Sequence, residues 1–291
     1  MLLINPRSGD GRATRARIAD HAREQGIEAV VVTPEQSLAA LVRGAVESGA
    51  DALGMAGGDG SLAVVASVAL AHDLPFICIP AGTRNHFAQD LGIDRHDLVG
   101  ALGAFTEPVE RRIDVATVNG RMFLNNVSLG LYGDAVRQAA YREAKLRTLL
   151  ATAKAVLSST APAPALRVVD DLGQEHSQPA VVLVSNNPYA FDPPPVSGTR
   201  PRLDGAQLGI VVLDAPAAGR NPPARAWSAA RVEVHAAGRV HAGIDGEAVD
   251  LDPLVELVSQ PAALRVRISS RHPGVSPSGR LANRGPRRRP R

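Results

Sequence analysis

The strongest constraint on the fold of this chain is the rhythm of its first hundred residues. Short apolar runs alternate there with amphipathic stretches, and each apolar run ends in a turn cluster. Leu2-Leu3-Ile4 is stopped by Asn5-Pro6-Arg7-Ser8-Gly9-Asp10-Gly11, and a charged helix is expected from about Arg12 to Gln25, closed by Gly26. Glu28 to Val32 reads as a β-branched strand. Thr33-Pro34-Glu35-Gln36 has the form of a helix start: a capping hydroxyl, a proline at the first helical position and a glutamine three residues on. The helix that follows carries Leu38, Leu41, Val42, Ala45 and Val46 on one face and stops at Gly49. Ala52 to Ala56 ends in Gly57-Gly58-Asp59-Gly60, and the next helix sets Leu62, Val65, Ala66, Ala69 and Leu70 in a stripe. Phe76 to Ile79 then runs into Pro80-Ala81-Gly82-Thr83-Arg84-Asn85. Strands and helices joined by such short connections predict an α/β domain, a parallel sheet covered on both faces.

Beyond about residue 110 the period changes. Arg112 to Val118, a turn at Asn119-Gly120 and Met122 to Leu129 predict a β-hairpin. One long helix is expected over about 134–158, its Leu146, Leu149, Leu150, Ala153 and Leu157 face suiting either packing on a sheet or docking on a membrane. Strand-like runs at 165–170, 180–185, 208–213, 230–236, 239–244 and 264–268, broken by Gly- and Pro-rich turns, predict a mostly β, antiparallel sandwich. The expected organisation is an α/β domain over 1–110, a β-sandwich over 111–271 and a disordered, Arg-rich tail over 272–291.

Charge and composition narrow the function classes. The formal net charge is +3, but residues 272–291 hold six Arg and no acid, so the remainder stands at −3. The basic balance belongs to the tail and gives no argument for a nucleic-acid groove. That tail is either simply solvated or in contact with anionic lipid. A 45% hydrophobic chain has the means to bury a core and is not a disordered one. The single cysteine, Cys78, sits in a strand-like run, which excludes a disulfide framework and points to a reducing, cytoplasmic setting. No apolar run approaches a membrane span, and no basic segment precedes Leu2, so neither a span nor a secretory signal is expected.

Three turn clusters, 5–11, 57–60 and 80–85, lie at the carboxyl ends of expected strands, where wound sheets bind their ligands. Gly57, Gly58 and Gly60 lack side chains, so successive backbone N–H groups can close on an anion. The helix beginning near Ser61 adds its N-terminal dipole there. The same residues also make an ordinary tight turn. The chain has no Gly-x-x-x-x-Gly-Lys-Ser/Thr run and no strand feeding Gly-x-Gly-x-x-Gly, which excludes a P-loop and the usual dinucleotide fingerprint.

Taken together, Asn5-Pro6-Arg7-Ser8-Gly9, Gly57-Gly58-Asp59-Gly60-Ser61, Pro80 to Ala88, Asn125 to Gly130 and Asp245-Gly246-Glu247 resemble the signature blocks of the diacylglycerol kinase catalytic family. That family includes sphingosine kinases and bacterial soluble lipid kinases and is related to the NAD kinases and phosphofructokinases. The blocks follow the family's order from about Leu2 to Glu247. The resemblance implies a Rossmann-like, NAD kinase-like α/β domain, a β-sandwich substrate domain and ATP in a cleft between them. It implies phosphate contacts from the backbone of Gly57, Gly58, Asp59, Gly60, Ser61 and Leu62, with Asn5 and Ser8 in the first loop and Gly82, Thr83 and Asn85 in the third. Thr33 matches a family contact to the nucleotide and is equally explained as a helix cap. Asn5 is equally explained as a turn former.

For the chemistry, the resemblance makes Glu247 the acceptor of the lipid hydroxyl's proton and Asp245 a group that orients it or holds a metal. Asp59 is a rival for the base or a magnesium-associated acid, and the Asp245-Gly246-Glu247 stretch also reads as a plain hairpin turn. Magnesium is expected to arrive with ATP. Departures from the family pattern are His86 where an acid is usual, Ser61 for threonine, and Gly209 near the expected last acid of a structural magnesium site. With Asp204 its one remaining carboxylate, that structural metal is expected to be absent. The expected activity is an ATP-dependent lipid kinase, cytoplasmic and peripheral to the membrane, acting on a diacylglycerol-like or sphingoid lipid. The alternatives are NAD kinase-like phosphorylation of a soluble acceptor and a catalytically inactive nucleotide- or lipid-binding homologue. No nucleic-acid partner is expected, and the oligomeric state is left open, a homodimer included.

Overall fold

The computed structural model describes residues 1–130, 165–190, 198–214 and 224–283. The helix expected over 134–158, the Pro193-Pro194-Pro195 run, expected as a rigid loop between strands, and the arginines from Arg284 onward lie outside the described residues. The chain divides into two compact units, one of residues 1–113, 199–204 and 262–291, the other of residues 114–198 and 205–261. The division is therefore not the linear one expected at 110 and 271.

The first unit is α/β. Its elements are β1 (Leu2–Ile4), the short helices α1 (Arg12–Arg15) and α2 (Ile18–Glu24), β2 (Ala29–Val31), α3 (Leu38–Glu47), β3 (Leu53–Gly57), α4 (Asp59–Ala71) and β4 (Phe76–Pro80), then α5 (His86–Asp90), α6 (Leu98–Ala101) and α7 (Gly103–Thr106). The strands run parallel in the order β2-β1-β3-β4, with Leu3 opposite both Val30 and Met55, and Met55 opposite Cys78. Every residue of β1, β3 and β4 is buried, as a sheet covered on both faces requires. Burial pushes the Cys78 thiol well up, with the Asp59 charge adding to it.

Two helices differ from expectation. The stretch 12–25 is broken in two because Arg17 takes a left-handed backbone (φ 51°), its side chain reaching Asp20 at 2.9 Å. The helix expected from Pro34 begins at Leu38 instead. Ser37 is its cap, accepting from the Ala40 amide, while Thr33 and Gln36 close a separate turn ahead of it.

The second unit is antiparallel β. Strand β5 (Pro108–Val118) leads into it, followed by β6 (Arg121–Phe123), β7 (Asn126–Gly130), β8 (Leu166–Asp170), β9 (Glu175–Ser177), β10 (Pro179–Asn186), β11 (Leu208–Asp214), β12 (Ala224–Ala229), β13 (Arg231–Ala236), β14 (Val240–Ile244), β15 (Glu247–Leu251) and β16 (Leu254–Ser269). One sheet has the order β12-β11-β10-β7-β14-β15. The other pairs β16, β13, β8 and β9. Phe123, Val127, Leu129, Val168, Val184, Ile210, Val232, Ile244 and Leu257 come from both sheets into one buried cluster, so the expected sandwich is present. Each such side chain contributes roughly 1.5–3 kcal/mol on burial. The expected hairpin turns at Asn119-Gly120, both with positive φ (47° and 78°), but its second arm splits, β6 pairing with β5 while β7 joins the other sheet.

The end of the chain returns to the first unit. The C-terminal part of β16 extends the parallel sheet beside β4, with Val266 opposite Phe76. The tail expected to be disordered from residue 272 is ordered to residue 283, and α8 (Pro277–Ala282) is capped by Ser276. His272, Ser276 and Ser278 are buried there, so polar bonds rather than apolar bulk fix this segment. No helix among the described residues is long and apolar enough to cross a membrane.

Candidate functional site

The loops after β1, β3 and β4 meet. Asn5 starts the first loop: its amide donates to the Ala56 carbonyl at 2.9 Å, its side-chain oxygen accepts from the Arg7 amide at 3.0 Å, and its amide nitrogen reaches the Ser61 hydroxyl at 3.4 Å. The Ser8 hydroxyl accepts from the Gly58 amide at 3.2 Å. A Cβ on Gly82 would lie 2.6 Å from the Gly58 Cα, and one on Gly9 would collide with the Ala81 carbonyl. The absence of these side chains is what allows three separate loops to touch.

The third loop is closed on itself. Asn85, fully buried with φ 54°, accepts from the Gly82 amide at 2.8 Å and donates to the Gly82 carbonyl at 2.7 Å. The Arg12 guanidinium spans to the carbonyls of Gly82 (3.1 Å) and Arg95 (2.7 Å), a link no motif in the sequence announced. Thr83 is exposed on the same loop.

The 13-residue α4 begins at Asp59 in the middle of this cluster. The amides of Asp59, Gly60 and Ser61 occupy its first turn, where no intrahelical acceptor exists, and the helix dipole places positive potential there. Two backbone groups expected at the phosphates are otherwise engaged: Gly58 N–H by Ser8, and Leu62 N–H by the Gly58 carbonyl at 3.0 Å. The Asp59 carboxylate accepts from the Phe87 amide at 3.3 Å, tying the second loop to α5. Thus Asn5, Ser8, Gly57, Gly58, Asp59, Gly60, Ser61, Gly82 and Asn85 form one constellation. Thr33 stands apart after β2, its amide donating to the Gln36 side chain at 2.9 Å.

The remaining expected acids belong to the second unit. Asp245 and Gly246 form a two-residue turn with positive φ (49° and 89°) between β14 and β15. The Asp245 carboxylate accepts from the amides of Leu124 and Asn125, each at 2.8 Å, and of Asn126 at 3.1 Å. It therefore fixes the point where β6 and β7 part company. Glu247, exposed at the start of β15, pairs with Arg121 at 3.1 Å. Sequence reading passed over Asp114, buried in this unit, whose carboxylate accepts from the Ala206 amide at 2.6 Å and from Asn187 at 3.2 Å. This bond holds the turn after Asp204, whose own carboxylate bonds Arg202 at 2.8 Å. A Cβ on Gly209 would lie 2.6 Å from the Pro188 Cα, so the backbone leaves no room for an acid there. Residues 204–209 do not fit a multi-carboxylate metal site.

Comparison with known proteins adds to this geometry. Residues 1–118 match the family model described as diacylglycerol kinase catalytic domain. The chain is 36% identical over 115 residues to a diacylglycerol kinase of Bacillus subtilis (strain 168), covering 38% of this chain and 37% of that protein. It is 36% identical over 141 residues to a probable lipid kinase YegS-like of Pseudomonas aeruginosa (strain UCBPP-PA14), covering 47% of this chain and 45% of that one. The matched stretches span less than half the length of these curated relatives. A putative diacylglycerol kinase from Bacillus anthracis str. Sterne has the same fold, with a TM-score of 0.70 at 19% identity over 94% of this chain and 95% of that one. The resemblance first read from short motifs to the diacylglycerol kinase catalytic-domain family holds in sequence over residues 1–118 and in fold over nearly the whole chain.

Proposed function

We propose that this protein is a lipid kinase that transfers the γ-phosphoryl group of ATP to a hydroxyl of a diacylglycerol-like or sphingoid lipid, working from the cytoplasmic face of a membrane. The observation that carries the reading is the meeting of three side-chain-poor loops at the N-terminus of α4. Phosphoryl transfer asks a protein mainly for positioning and charge neutralisation. Asp59, Gly60 and Ser61 offer main-chain donors to the phosphates, and Thr83 and Asn5 offer side-chain groups beside them. Asp59 also brings a carboxylate into the anion site, where carboxylate and phosphate repel unless a cation lies between. Mg²⁺ carried in with the nucleotide fits that need, supplying charge neutralisation to the transferring group.

For the proton of the attacking hydroxyl we assign Glu247. Asp245 is engaged by three amides and acts as the residue that sets the turn, while Glu247 is exposed and reports only Arg121 among the described residues. The names borne by the curated relatives, diacylglycerol kinase and probable lipid kinase, support the acceptor class. Incubation with γ-labelled ATP, Mg²⁺ and a total lipid extract should give labelled lipid. Labelling of NAD and not lipid would replace the reading with phosphorylation of a soluble acceptor, and ATP binding without transfer to any acceptor would make the chain a binding protein.

A further inference from the structure

The helix that follows the third loop cannot hold itself in place. Helix α5 is five residues long, well below the length at which a helix is stable alone. At its start, the Phe87 amide donates to Asp59. At its end, Asp90 is buried against Arg200, whose side chain is 0% exposed. The Arg200 amide reaches one carboxylate oxygen of Asp90 at 2.8 Å, and both Nε and Nη2 reach the other at 2.8 Å. Residue 200 comes from a short segment, 199–204, that leaves the second unit's sequence to join the first unit. The C-terminal segment holds it there: Ser276 donates to the Arg200 carbonyl at 2.6 Å, and Thr199 bonds Ser278 at 2.8 Å.

We propose that Arg200, through Asp90, is a positioning residue for the nucleotide loop: it fixes α5, and with it the Asp59 anchor and the 82–85 turn. The inference rests on the nucleotide-binding reading of these loops and extends it to residues that touch no nucleotide. A buried ion pair is a poor choice for stability alone, since hydrophobic replacements of such pairs are often neutral or stabilising. What it does supply is direction, because two guanidinium nitrogens converge on one carboxylate oxygen while the residue-200 amide holds the other, so the Asp90 carboxylate is fixed at both oxygens. Burial pushes the Asp90 carboxyl up overall, against the opposing charge and bonds of Arg200 and the weaker pull of His86 one turn earlier.

The test compares the wild-type chain with Asp90→Asn/Arg200→Met, which removes both charges while keeping an acceptor for the residue-200 amide, and with Arg200→Lys. Melting temperature and ATP–Mg²⁺ affinity are read on each. The double variant should melt within about 5 °C of wild type yet bind ATP about tenfold more weakly, with Arg200→Lys in between. Wild-type affinity in the double variant overturns the positioning role, as does a drop in melting temperature with affinity unchanged. Failure of the wild-type chain itself to bind ATP overturns the nucleotide reading and this inference with it. If the double variant does not fold, Arg200→Lys carries the comparison: unchanged ATP affinity there also overturns the role.

Discussion

The loops of the first unit and the acidic turn of the second achieve order by opposite means. Loops 5–11, 57–60 and 80–85 hold one another through backbone-to-backbone approach, with Gly9, Gly58 and Gly82 at the contacts and Arg12 clamping the carbonyls of Pro80, Gly82 and Arg95. The Asp245-Gly246 turn is held by one carboxylate facing three amides. In the first arrangement the contacts that set position adjoin the amides of Asp59, Gly60 and Ser61 proposed to bind, so few substitutions can change one without the other. In the second they are divided between neighbours, Asp245 for position and Glu247 for the proposed chemistry.

That division makes sharp predictions. Glu247→Gln should lower turnover by about 10²–10⁴-fold, the usual worth of a general base, with melting temperature and ATP affinity unchanged. A fully active variant would move the role of base to Asp59. Asp245→Ala leaves three amides without their acceptor and should cost about 3 kcal/mol in chemical denaturation, at roughly 1–3 kcal/mol for each group left unsatisfied and partly rehydrated. A loss below 1 kcal/mol would show the turn to be held otherwise. Ser8→Ala removes a single bond to the Gly58 amide and should cost only about 1 kcal/mol, but should weaken ATP binding as well. Unchanged ATP affinity there would break the claim that position and binding are coupled in the first unit.

The smallest effect concerns the C-terminal segment. His272 is buried, its Nδ1 accepts from the Asp94 amide at 3.2 Å, and Arg111 donates to the neighbouring Gly274 carbonyl at 2.6 Å. Burial lowers the imidazole pKa from its ordinary 6.5, against the opposing pull of Asp97 and Asp94. The folded chain thus prefers the neutral ring. Its contribution is complete above the unfolded value of 6.5 and is lost as pH falls through the lowered folded value. Amide protection over 272–283 should decline as pH falls below the unfolded value of 6.5, and His272→Gln should flatten that decline. A pH-independent protection pattern in the wild-type chain would remove His272 from the account.

Much of the fold was legible in the sequence because turn chemistry marks strand ends. Asn5-Pro6, Gly57-Gly58 and Pro80-Ala81-Gly82 each stop an apolar run, and in a parallel sheet those stops fall on one edge. Asn119-Gly120 and Asp245-Gly246 announced their hairpins for the same local reason. The misreadings share another cause, long-range contact. Nothing near Arg17 foretells the break between α1 and α2. The ordering of 272–283 depends on Thr199 and Arg200, about 80 residues away, and the return of β16 to β4 spans nearly 190. Within the site, glycines and acids were visible as residue types. Arg12, Asp90 and Arg200 were not, because their roles lie in partners distant in sequence.

The central claim is that the N-terminal turn of α4 and the 82–85 turn together receive a triphosphate. Amide hydrogen exchange of the whole chain, with and without ATP–Mg²⁺, tests it directly. Nucleotide should slow exchange over 59–61 and 82–85 together. Protection confined to other segments, with these amides unchanged at saturating ATP, would contradict it.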